Sequence, residues 1–104
     1  MLNIVLLCNW GASTGMLAEK IKEAADAAGV EAAVNAYNIN EAANVSKGAD
    51  IVLLGPQVRF KAKQIIKDND LTIPVVAMDP QDYGLLKGDV IFEKVMKLLE
   101  EGKE

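Results

Sequence analysis

Cys8 is the only cysteine in a chain of 104 residues that contains no histidine. It stands between an apolar run, Leu2 to Leu7, and the segment Asn9-Trp10-Gly11-Ala12-Ser13-Thr14-Gly15. These residue types predict a strand, an anion-binding turn and a helix start in direct succession. Gly11 and Gly15 permit close backbone approach, and Ser13 and Thr14 offer hydroxyls and N-cap chemistry. A helix beginning near Gly15 turns its unsatisfied N–H groups back on the loop. The same N–H groups favour thiolate at Cys8, where a free cysteine, with a pKa of about 8.5, is only a few per cent ionised at neutral pH. A nucleophile, Cys8, and an anion cradle, Asn9, Trp10, Gly11, Ala12, Ser13, Thr14 and Gly15, therefore coincide.

One cysteine and no histidine exclude intrachain disulfides, C-x-x-C redox chemistry, cysteine or histidine zinc sites and Cys-His dyads. Neither a metal nor a cofactor is expected. A net charge of −4 with acidic and basic residues interleaved gives no basic stripe for nucleic acid. The balance of 51% hydrophobic and 25% charged residues describes a globular domain, and the length suits one domain over residues 1–104. Leu2 to Leu7 is too short for a membrane span or signal sequence. A cytoplasmic protein that does not itself span the membrane is expected.

The elements around Cys8 follow from pattern. Asn3 to Leu7, apolar on both faces, suits a central parallel strand. A helix from about Gly15 to Ala28 buries Leu17, Ile21, Ala24, Ala25 and Ala28, and Gly29 supplies a left-handed stop. Val30 to Tyr37, diluted by alanine and carrying Glu31 and Asn35, suits an edge strand. Asn38 or Asn40 caps a short helix over Glu41 to Lys47. Asp50 to Leu54 is another buried strand. Pro56 then opens a helix with Val58, Ala62, Ile65 and Ile66 inward. Ile73 to Met78 is the fourth strand, with Pro74 tolerable only near its start. A loop from Asp79 to Gly84 leads to a last helix, Asp89 to Glu101, packed through Ile91, Val95, Leu98 and Leu99.

Strands alternating with helices predict a three-layer α/β sandwich, a four-stranded parallel sheet of order 2-1-3-4 with helices on both faces. Ligands of such sheets lie at the carboxyl ends of the strands. There the Cys8 loop, Gly55 to Gln57 and Asp79 to Gly84 converge.

Several uses of such a loop can be set against the residues. A receiver domain needs carboxylates where Cys8 and Gly55-Pro56 stand. A flavodoxin needs aromatic walls for its flavin, for which the chain offers chiefly Trp10 and Tyr83, while a non-catalytic nucleotide- or flavin-binding module stays an alternative. The arrangement is similar to the phosphate loop of small cysteine phosphatases, and Asp79-Pro80 resembles their acid-bearing loop. The C-x5-R pattern nevertheless requires arginine where Thr14 stands. A guanidinium clamps a phosphoryl group in bidentate fashion; an uncharged cradle leaves the group transferable. That favours a carrier over a phosphatase.

Three anchors then resemble the cytoplasmic IIB component of lactose/chitobiose/cellobiose-type sugar phosphotransferase systems across essentially the whole chain. They are Cys8 with Gly11, Ser13 and Thr14; Leu53-Leu54-Gly55-Pro56-Gln57; and Asp79 followed by Tyr83-Gly84. The resemblance implies that Cys8 takes a phosphoryl group from a histidine-phosphorylated IIA protein or domain. Cys8 then passes it to a sugar, a β-linked disaccharide, held by the membrane IIC component. The chain departs from the family pattern at Asn9, Trp10, Ala12 and Gly15. Trp10 reads as a docking residue or a lid on its own loop, and Gln57 as a phosphoryl contact or a capping side chain. Asp79 reads as a turn or hydrogen-bonding residue rather than a general acid, because a carboxylate beside a thiophosphate repels it.

Overall fold

Leu2–Cys8 forms β1, and its alternating side chains divide the core in two. The computed structural model describes residues 1–9 and 11–101, with the side chains of residues 11–13 outside the description. Ile4 and Leu6 join Leu17, Ile21, Ile91 and Val95 on one face of the sheet. Val5 and Leu7 join Ile39, Ala42, Val58 and Ile65 on the other. A strand buried on both faces must be central, and β1 pairs in parallel with β2 (Ala32–Asn38) on one side and β3 (Ile51–Leu54) on the other. A short β4 (Val75–Ala77) completes the predicted order, β2-β1-β3-β4.

The helices supply the outer layers. α1 (Gly11–Ala27) and α5 (Gly88–Glu101) cover one face. The other is covered by α2 (Ala42–Val45), flanked by 3-10 turns, and by α3 (Ala62–Asn69). α1 and α5 meet closely at Gly88, where an added Cβ would stand 2.4 Å from the carbonyl carbon of Lys20. Gly29, at a φ of 73°, ends the first helical segment in the left-handed conformation expected of it, and Asn38 is the residue that caps the turn after β2.

Four expectations are corrected. α1 begins at Gly11 rather than near Gly15, because Thr14 and Leu17, 1% and 0% exposed, draw its first turns onto the core despite two glycines. At its far end Ala28 lies beyond the helix and is exposed. The third helical segment opens as a 3-10 stretch, Pro56–Lys61, kinked at Val58 before α3 starts. Finally, the stretch expected to be a loop contains a one-turn helix, α4 (Pro80–Gly84). Asp79 is its N-cap and Pro80 its first residue, a pairing that nucleates a helix too short for periodicity to reveal.

Among the described residues, one buried side-chain group has no partner. Ser46 is fully buried and its hydroxyl makes no hydrogen bond, a state that costs about 1–3 kcal/mol. Ser46→Ala is therefore expected to raise the free energy of unfolding by about 1 kcal/mol in a urea titration. A loss of that size would show that the hydroxyl has a partner after all.

Candidate active site

The carboxyl ends of β1, β3 and β4 deliver one group each to a common point. β1 ends at Cys8, which is fully buried. After β3, Gly55 and Pro56 turn the chain so that Gln57 places Oε1 3.6 Å from Cys8 Sγ. After β4, α4 carries Tyr83, whose hydroxyl lies 3.4 Å from the same sulfur. The Asn9 side-chain oxygen also accepts from the thiol at 3.6 Å. A thiol has one proton, so Gln57 and Asn9 are alternative acceptors, and each amide can instead turn its NH2 toward a thiolate.

Tyr83 bridges two elements. Its hydroxyl meets Thr14 Oγ1 of α1 at 3.2 Å as well as Cys8 Sγ. Burial first, and then the hydrogen bond to Cys8, push the phenol above its usual range, with Thr14 and Gln57 pulling the other way. The phenol thus keeps its proton at neutral pH and remains a donor to any negative charge on the sulfur.

Gly55 is required for space. Its φ of −59° suits any residue, yet an added Cβ would lie 2.7 Å from Cys8 Sγ and 2.9 Å from Gln57 Oε1. Gly15, in contrast, has nothing within 4 Å of such a Cβ, so no neighbouring protein group requires a glycine there. Thr14 is not an N-cap either; it is buried inside α1. Of the seven residues expected to form the loop, Gly11, Ala12, Ser13, Thr14 and Gly15 belong to α1, while Trp10 and the reading of it as lid or docking residue lie outside the described residues. The Asp79 carboxylate accepts the N–H groups of Gln81 and Asp82, at 2.8 and 3.3 Å, which is a turn-forming use.

A family model described as "PTS system, Lactose/Cellobiose specific IIB subunit" matches residues 3–94. The chain belongs to this family of phosphotransferase-system IIB components. The oligo-beta-mannoside-specific EIIB component of Bacillus subtilis (strain 168) is 35% identical over 100 residues, covering 95% of this chain and 97% of the relative. The galactose-specific EIIB component of Lactococcus lactis subsp. cremoris is 30% identical over 92% and 94% of the two chains. Among solved structures, the lactose-specific IIB domain of Streptococcus pneumoniae superposes with a TM-score of 0.82 at 24% identity, over 93% of this chain and 96% of that one. The cellobiose-specific IIB protein of Borrelia burgdorferi gives 0.69 at 32%, over 97% and 90%. As a IIB component, the protein is a phosphotransferase acting in sugar uptake. The matched span includes Cys8, Thr14, Gly55, Gln57, Asp79 and Tyr83. Among the described residues of this IIB chain, no helix is long and apolar enough to cross a membrane, and no group of three His, Cys, Asp or Glu could hold a metal ion.

The sequence places Gly55 in a turn at this edge without revealing its closeness to the sulfur, and it assigns no role to Asp82, a buried carboxylate that receives Lys94.

Proposed function

We propose that Cys8 is the phosphoryl carrier of this IIB component, acting within a single cytoplasmic domain. The carrying observation is the buried Cys8 sulfur at the end of β1, met by Tyr83 and Gln57 just ahead of α1. The thiolate attacks the phosphorus of a phosphohistidine on a IIA partner; the N–P bond breaks, an S–P bond forms and the imidazole is released. A sugar hydroxyl held by a membrane IIC partner then attacks the phosphorus. The S–P bond breaks, the thiolate returns, and the hydroxyl proton passes to solvent or a base at the sugar site. The relatives named for oligo-beta-mannoside and cellobiose, unlike the galactose-specific one, support a β-linked disaccharide as the acceptor.

Each neighbour has a part in this cycle. The opening N–H groups of α1 lack intrahelical partners and suit an anion carried on the preceding strand, so Asn9 to Gly15 remain the proposed cradle, with most of it helical. Tyr83 donates to the sulfur or to a phosphoryl oxygen, and Gln57 does so by turning its amide. The Asp79 carboxylate, engaged at the start of α4, supports a capping role over that of a general acid.

Titration with inorganic phosphate, followed through backbone amide shifts, tests the cradle. The largest changes are expected at Asn9 to Thr14 and at Tyr83. Changes clustered at the opposite edge of the sheet would remove the cradle from the account.

A further inference from the structure

Tyr83 reaches Cys8 from a helix of only five residues, α4, which is too short to persist on its own backbone hydrogen bonds. Something else must hold it. Its start is fixed by Asp79, and beyond its end the chain passes through Leu86 at a φ of 53°, a conformation an L side chain adopts only under constraint. Tyr83 and Leu86 lie against the edge of the core. Beside them a pocket of about 290 Å³, open to solvent, lies between the end of the sheet and α5, lined by Val76, Met78, Ile91 and Val95 and by Asp82 and Lys94.

Asp82 immediately precedes Tyr83 and is buried, and its carboxylate accepts from the Lys94 ammonium on α5. The Lys87 N–H closes onto the Asp82 carbonyl at 2.9 Å. α5 is itself seated on α1 through Gly88, and α1 carries Thr14, the second partner of the Tyr83 hydroxyl. The three helices thus form a closed circuit in which α4 is tied to α5 by charge and to α1 by the tyrosine. We propose that the Asp82–Lys94 ion pair is a positioning device that holds the Tyr83 hydroxyl on the Cys8 sulfur. Its consequence for transfer rests on the reading of Cys8 above; its effect on the thiol does not.

The test follows alkylation of Cys8 by iodoacetamide as a function of pH, because the midpoint of that profile reads thiol ionisation while the plateau reads access. Tyr83→Phe is expected to move the midpoint upward, slowing alkylation below it about threefold to tenfold. Lys94→Met and Asp82→Asn are expected to move it in the same direction. In the Tyr83→Phe background neither adds a further shift, and Lys94→Arg keeps the parent midpoint. Action of the two charges through space predicts opposite shifts, upward on losing the cation and downward on losing the carboxylate. Opposite shifts, shifts that persist without the Tyr83 hydroxyl, or lowered thermal stability with an unmoved midpoint would each overturn the proposal. Should Asp82→Asn fail to fold, the Lys94 pair of variants decides alone, since that side chain is 58% exposed. Failure of this test leaves phosphorylation of Cys8 untouched, and unphosphorylated Cys8 leaves the midpoints readable.

Discussion

Cys8→Ser is expected to fold as the parent does and to lose sugar phosphorylation in a reconstituted IIA/IIB/IIC system. The change is nearly isosteric at a buried strand end, and a hydroxyl can keep the described neighbours, Tyr83, Gln57 and Asn9. The chemistry does not survive it. A serine hydroxyl is a weak nucleophile near neutral pH unless an adjacent base activates it, and this chain has no histidine to do so. A fall of at least about a thousandfold is expected, on the order of 4 kcal/mol of added barrier. Parent-like rates of sugar phosphate formation from the variant would remove Cys8 from the reaction.

Gly55→Ala is expected to slow transfer about a hundredfold while the thiol is retained. The backbone at Gly55 tolerates alanine, so the effect comes from the 2.7 Å approach of the new methyl to Cys8 Sγ. Gln57 can swing its amide away, but the cysteine side chain has one torsion and lies in a filled site, so the sulfur must turn from Tyr83 or the β1–β3 contact must open. Displacing a reacting atom by about 1 Å costs on the order of a hundredfold in rate. Overpacking costs stability as well, about 1–3 kcal/mol. Single-turnover transfer from phosphorylated IIA, with urea unfolding alongside, measures both. A variant as stable and as fast as the parent would show that the sulfur is not held where the structure places it.

The parts of the fold that depend on long apolar runs were legible in the sequence. Leu2 to Leu7 and Ile51 to Leu54, apolar on both faces, suit central strands, and the alanine-diluted strand suits an edge; the order 2-1-3-4 follows once the chain reverses direction after its second strand. The start of α1 was misplaced because Gly11 and Gly15 suggest a loop, whereas burial of Thr14 and Leu17 overrides propensity. α4 escaped notice because one turn has no period to detect. Its stability comes from the Asp79 cap and the Asp82–Lys94 pair, and the latter joins residues on different elements that nothing local connects. Cys8, Gln57 and Tyr83 each follow a strand, a topological reason for their convergence that survives errors in element boundaries. Gly55 looks like an ordinary turn residue in the sequence, since the need for space beside a sulfur leaves no trace in φ preferences.

The most direct measurement is to incubate the protein with a histidine-phosphorylated IIA partner and locate the acquired phosphate by mass spectrometry under conditions that preserve thiophosphate esters. A single phosphoryl group on Cys8, lost on addition of sugar and the IIC component as sugar phosphate appears, is the predicted result. Sugar phosphate formed while Cys8 stays unmodified, or phosphate recovered on another residue, would contradict it.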